Sequence, residues 1–155
     1  MKQSSERTLP TVEQVAKDFE TGFDCSQVVA DYFAEEMGFS AEEARRVSAC
    51  FGGGCARGGT CGAVVGAMMV LGMKYGQYDA DHMEQKETMA QKQGEFFEAF
   101  SKEYGSSLCR DLLGHDVSLP GEFDKVLEEG TMMTLCPRIV RDTIRMTEII
   151  LKEDQ

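Results

Sequence analysis

The chain has 155 residues and carries 27 acidic against 16 basic side chains, a net charge of −11. Phosphate backbones and anionic lipid surfaces repel such a chain, so no nucleic acid and no membrane is expected as a partner, and the charge favours a basic protein instead. A chain of this length forms one domain with a real core and needs no disulfide staples, so its six cysteines require another explanation.

Residues 1–10 are polar and lack the apolar stretch of a signal peptide; they read as a flexible lead-in to a single helical domain over 11–155. Thr11 and Gln14 have the spacing of a capping box, and Val12, Val15, Ala16 and Phe19 follow at helical spacing until Gly22. Asp24 with Gln27 opens a second helix, whose stripe of Val28, Val29, Tyr32, Phe33 and Met37 runs to Gly38. Ser40 with Glu43 opens a third, ending near Cys50. Residues 52–59 form a Gly-rich loop, after which Thr60 is expected to cap an apolar helix to Tyr75, stopped by Gly76. Gly62, Ala63, Gly66 and Ala67 recur one turn apart there and allow another helix to approach closely. The apolar run is shorter than the ~17–25 residues that span a bilayer.

Asp81 with Glu84 is expected to start a long helix to Tyr104, with Met89, Phe96, Phe100 and Tyr104 on its buried face. Ser106 or Ser107 caps a short helix through Leu113, ended by Gly114. A loop with Pro120 leads to a short amphipathic turn at Phe123, Val126 and Leu127. The last helix is expected to begin near Cys136 and Pro137, because proline suits the first helical position, and to carry Val140, Ile144, Thr147 and Leu151 inward. No segment alternates as a strand does. The expected fold is all-α: a compact single-domain bundle of roughly six to eight helices.

The cysteines take on meaning when set on this map. Cys25 follows the cap Asp24, and Cys61 follows the cap Thr60. Cys109 lies in the first turn after Ser106 and Ser107, and Cys136 directly precedes Pro137. All four therefore fall at predicted helix N-termini, where the helix dipole and free N–H groups favour the thiolate. The thiolate is the form that ligates metals and does redox chemistry. With no export signal the cytoplasm is the expected compartment, and cysteines there serve as ligands or redox groups. Cys55, inside the flexible loop, is a further candidate ligand; Cys50, at a helix end, is not.

There is no C-x-x-C, and the only histidines are His82 and His115, which argues against thioredoxin-type chemistry, covalent haem and histidine-rich metal sites. His115 could join Cys109 in a Cys–His pair, although a loop histidine is more often simply solvated. The Gly-rich loop has P-loop glycine spacing, but Gly59 stands where the lysine is needed and no strand precedes it, so phosphate binding is rejected. Gly53, Gly54, Gly59 and Gly62 are instead the candidates to contact a cofactor through backbone N–H groups.

At Cys61-Gly62-Ala63-Val64-Val65-Gly66 the chain resembles the C_GCAxxG_C_C family, whose label names a redox role. Cys25, in Asp-Cys-Ser-Gln, matches the first cysteine of that pattern and Cys61 the motif cysteine. Cys109, in Ser-Leu-Cys-Arg-Asp-Leu-Leu-Gly, and Cys136 match the third and fourth. The similarity extends through Phe51-Gly-Gly-Gly, Gly72-Met-Lys-Tyr-Gly76 and the final helix, from about residue 11 to 152. The resemblance implies redox activity and names no substrate; Cys50 and Cys55 stand outside the pattern.

Four functional readings remain open at this stage. The leading one is electron transfer through an iron–sulfur centre ligated by Cys25, Cys61, Cys109 and Cys136, serving a partner oxidoreductase. The second is a thiol–disulfide protein using the same cysteines as its redox-active groups. The third is a helical module with a structural zinc, against which the wide spacing of the ligands counts. The last is a partner-binding helical protein with incidental cysteines. A homo-oligomer is compatible with all four.

Overall fold

A computed structural model of the chain describes residues 7–154. Of the lead-in, residues 1–6 lie outside the described part. Residues 7–10 carry no helix, yet Leu9 packs on the core and the Arg7 guanidinium lies 5.0 Å from the centre of the Tyr32 ring.

Nine α-helices follow among the described residues: α1 Val12–Glu20, α2 Cys25–Tyr32, α3 Ala34–Met37, α4 Ala41–Val47, α5 Gly62–Tyr75, α6 Glu84–Tyr104, α7 Cys109–Leu113, α8 Glu122–Glu129 and α9 Thr131–Lys152. No strand forms among them, so the all-α expectation holds. The ninth helix arises where the stripe from Val28 to Met37 breaks: Phe33 takes φ −100°, ψ 15°, and divides one expected helix into α2 and α3.

Local chemistry sets several helix starts. The Gln14 N–H donates to Thr11 Oγ1 at 3.1 Å and the Thr11 N–H to Gln14 Oε1 at 2.9 Å. Ser40 and Glu43 make the same reciprocal pair at the head of α4. At α2 the Asp24 N–H donates to Gln27 Oε1 at 3.0 Å. The expected caps of α6 and α7 do not act as such. α6 starts at Glu84 after Met83, beyond the reach of Asp81, whose N–H donates to Asp79 Oδ1 instead. α7 starts after Leu108, and Ser106 contributes from outside by accepting the Leu108 N–H at 3.1 Å.

α5 is buried along most of its length, from Gly62 and Ala63 to Leu71 and Tyr75, and packs against α2, α3, α6 and α9. A helix that is apolar all round belongs inside. Its small residues are where α2 crosses. A Cβ at Gly66 would lie 2.8 Å from Val29 Cβ, and one at Gly62 would lie 2.9 Å from the Phe51 carbonyl oxygen and 3.4 Å from Cys25 Cβ. The glycines thus draw the start of α2 onto the start of α5. No described helix is long and apolar enough to cross a membrane.

The expected start of the last helix is corrected. α9 begins at Thr131, so Cys136 is its sixth residue and Pro137 lies inside it. Gly130, in the left-handed region at φ 76°, both ends α8 and precedes α9. Pro137 cannot donate a backbone bond to the Met133 carbonyl, a cost normally large enough to end a helix. Burial outweighs it here: Cys136, Val140, Thr143, Thr147 and Ile150 form one buried stripe that continues unbroken across the proline.

Candidate thiol site

Four of the six cysteines lie in one neighbourhood. The thiols of Cys25 and Cys136 are neighbours, and Cys136 is the largest influence on the Cys25 thiol. Cys109 and Cys136 belong to one small buried cluster with Leu113 and Val126, and Cys25 packs against it. Cys61 feels the charge of Cys25, and Cys109 feels those of both Cys61 and Cys25. Cys61, Cys109 and Cys136 are buried, at 6%, 9% and 9% exposure, and Cys25 is half-buried.

Each member is fixed by its own local structure. Cys25 is the first residue of α2, whose first turn is tied to the end of α4: Ser26 Oγ, fully buried, donates to the Ser48 carbonyl at 2.7 Å. Cys61 is itself at the N-cap position of α5, where the Val64 and Ala63 backbone groups favour its thiolate without closing a cap hydrogen bond. Thr60, the expected cap, is instead half of an isolated antiparallel bridge to Leu108. That bridge registers two members of the set: the Cys61 N–H donates to the Ser107 carbonyl at 2.8 Å and the Cys109 N–H to the Gly59 carbonyl at 2.7 Å. Cys109 is the first residue of α7. Cys136 comes from within α9, so three of the four cysteines lie at helix starts, not all four.

The expected stabilisation of thiolates by helix starts is also outweighed. Burial pushes the Cys61 thiol up to about 12, the neighbouring Cys25 adds to this, and the Val64 and Ala63 N–H groups pull the other way without prevailing. Burial likewise raises Cys109 to about 12, with contributions from Cys61, Cys25 and Asp116. Cys25 is held well above the ordinary thiol range first by its interaction with the Cys136 side chain, then by burial and by the charges of Cys136 and Asp24. Desolvation and like-charge crowding exceed a half-charge of helix dipole. Free of any cation, these three thiols keep their protons at neutral pH.

The Gly-rich loop shapes the rim of the site. Gly53, Gly54, Cys55 and Ala56 are consecutive residues at φ 65°, 63°, 58° and 55°, a left-handed turn that non-glycine residues adopt at a cost. The loop folds tightly on itself, and the Gly59 N–H donates to the Gly54 carbonyl at 3.1 Å. Gly59 therefore has no free N–H for a cofactor, contrary to the sequence expectation, and acts through its carbonyl on Cys109. Gly62 serves the approach of α2 described above. A Cβ at Gly52 would overlap the Asp24 side chain at 2.4 Å, and one at Gly58 would lie 2.8 Å from Asp116 Oδ1. These two carboxylates, seated on the loop beside Cys25 and Cys109, carry no clear signal in the sequence; only the position of Asp24 next to Cys25 hints at one of them.

Cys55 is exposed on this turn and Cys50 is exposed after α4, so neither joins the buried set. His115 does not pair with Cys109. Its Nδ1 meets Glu122 Oε2 at 2.7 Å and its Nε2 meets Glu129 Oε1 at 2.9 Å, gripping both ends of α8. The four sulfurs are a soft donor set of the kind that suits iron–sulfur or zinc ligation. Among the described residues, however, no three His, Cys, Asp or Glu side chains are already drawn together as a metal-holding group.

No curated relative and no solved structure matches the chain. A family profile described as "Putative redox-active protein (C_GCAxxG_C_C)" matches residues 23–150, a span that holds all four converging cysteines. On that match the chain belongs to the C_GCAxxG_C_C family.

Proposed function

We propose that the chain is an electron-transfer protein whose working centre is an iron–sulfur cluster ligated by Cys25, Cys61, Cys109 and Cys136. What supports this reading is the gathering of four cysteines from four separate elements into one neighbourhood: Cys109 and Cys136 share a buried cluster, Cys25 packs on it, and Cys61 lies near enough to Cys25 to be influenced by it. Iron supplies the positive charge that such a set lacks and displaces its protons. The donor chemistry fits; the sulfurs would have to close further around the group. A cluster there would supply one-electron chemistry at a potential set by charge, hydrogen bonding and burial. The chain's own part is positional: the Thr60–Leu108 bridge holds Cys61 and Cys109, Gly62 and Gly66 bring Cys25 to Cys61, and Val126 and Leu113 exclude water.

The Cys25–Cys136 contact favours a second reading, a reversible disulfide between these two. In that case the two thiols lose two protons and two electrons to a partner's disulfide, which leaves as two thiols, and an S–S bond forms between Cys25 and Cys136.

The discriminating experiment is the visible spectrum of anaerobically purified protein, with iron, sulfide, zinc and thiol assays. Cys61→Ser should abolish iron and sulfide content with helicity intact by circular dichroism, and Cys50→Ser should leave both unchanged. Colourless parent protein that gains one Cys25–Cys136 disulfide on mild oxidation would replace the first reading by the second. Zinc at one atom per chain would replace both.

A further inference from the structure

α8 has two distinct faces. Inward, Val126 is fully buried in the cluster that contains Cys109 and Cys136. Outward, Phe123 and Leu127 are 44% and 48% exposed, and Leu119, in the turn before, is 55% exposed. Phe123 and Leu127 are one helical turn apart and so are neighbours on the helix surface. Asp124, Glu128 and Glu129 stand exposed around them, with Glu122 half-buried. The single basic residue of the helix, Lys125, is bound to Glu122 at 2.7 Å. His115, bridging Glu122 and Glu129, fastens the helix at both ends, so this face is presented on a firm support.

We infer that the outer face of α8 is the docking surface for a basic redox protein that exchanges single electrons with the thiol-ligated centre. The inference rests on the electron-transfer reading above. A docked partner would be separated from Cys109 and Cys136 by one helix layer, about 10–12 Å thick. An apolar centre with a charged rim suits the small encounter interfaces, below about 1,200 Å², of transient redox complexes. The rim selects the partner's sign: Glu122 and Glu129 are held by Lys125 and His115, but the exposed Asp124 and Glu128, in a chain of net charge −11, repel a second copy and steer a basic protein inward. In each encounter one electron leaves the reduced centre and reduces the partner's one-electron acceptor.

The test uses the anaerobically purified holoprotein, reduced, and mixed in a stopped-flow instrument with oxidised cytochrome c as a basic probe protein. A neutral quinone, which needs no docking, serves as the parallel oxidant. Asp124→Lys with Glu128→Lys should slow cytochrome c reduction at least tenfold at low salt. Phe123→Ser with Leu127→Ser should slow it at high salt as well, where steering is screened. Quinone rates should stay at the parent value, and Glu98→Lys, on the exposed face of α6, should change the cytochrome c rate less than twofold. The inference is overturned if the α8 variants lose no more than the α6 variant. It is also overturned if the parent is a dimer that Leu127→Ser splits, which would assign the face to a second copy. Protein that reduces neither oxidant refutes the electron-transfer reading itself, and the inference with it; the quinone rate tells the two failures apart.

Discussion

Alanine at Gly66 tests whether the glycine spacing exists to bring α2 onto α5. The added methyl would lie 2.8 Å from Val29 Cβ, 3.0 Å from Val29 Cγ1 and 3.2 Å from the Ser26 carbonyl oxygen. Ordinary carbon–carbon contact is about 3.5–4.0 Å, so α2 must retreat by roughly 1 Å. Overpacking of this kind costs about 1–3 kcal/mol. Against it stands the helix-propensity gain of Gly→Ala, about 1 kcal/mol. The net expectation is a loss of roughly 0–2 kcal/mol. Gly94, exposed in the middle of α6, would have nothing within 4 Å of an added methyl, so Gly94→Ala keeps the propensity gain alone and should stabilise by about 1 kcal/mol. The two variants should therefore differ by about 1–3 kcal/mol in urea unfolding followed by circular dichroism, a range set by the overpacking cost. Because Val29 lies one turn beyond Cys25, the same retreat moves Cys25 away from Cys61, and on the proposed cluster reading Gly66→Ala should also lower the iron content of anaerobically purified protein. If Gly66→Ala is as stabilising as Gly94→Ala, the close approach of the two helices is not what the glycine provides.

Two further outcomes follow from the titrating groups. Cys109 is raised in the folded protein from the ordinary thiol value of 9.0 to about 12, so its contribution to stability is complete below pH 9 and is lost as pH rises towards 12. In reduced, metal-free protein the parent should lose stability over that window faster than Cys109→Ser, by up to about 1.4 kcal/mol per pH unit; parallel profiles in urea titrations would refute the burial argument. His115 is raised by its hydrogen bonds to Glu122 and then Glu129, so its grip on α8 is complete below the ordinary histidine range and fades as pH rises through the raised value. His115→Gln should accordingly lower the melting temperature more at pH 6 than at pH 9, and an equal loss at both would show that the charge is irrelevant.

What the sequence determined by itself was local. The pairs Thr11 with Gln14 and Ser40 with Glu43 act over three residues, and no distant contact is needed to make them caps. The left-handed glycines Gly38, Gly105 and Gly114 end helices for an equally local reason, since few other residues accept that conformation. The four cysteines of the site were legible too, as residues near helix starts and as members of a pattern. Tertiary structure decided how they meet. The bridge between Thr60 and Leu108 joins residues that no periodicity relates, and it converts Thr60 from the expected cap into a strap, leaving Cys61 at the N-cap position of α5.

The same holds for Cys136. Proline's missing N–H argues locally for a helix start, but the stripe from Cys136 through Val140, Thr143 and Thr147 is buried against the rest of the chain, and burial of a whole face outweighs one missing bond. That stripe was the signal that would have placed Cys136 inside a helix. The protonation of the site was decided in the same way. A helix start favours a thiolate, but desolvation and neighbouring thiols favour protons on Cys25, Cys61 and Cys109, because charge in a dry interior costs more than a dipole returns. Only the folded chain shows which thiols are buried, and which are neighbours.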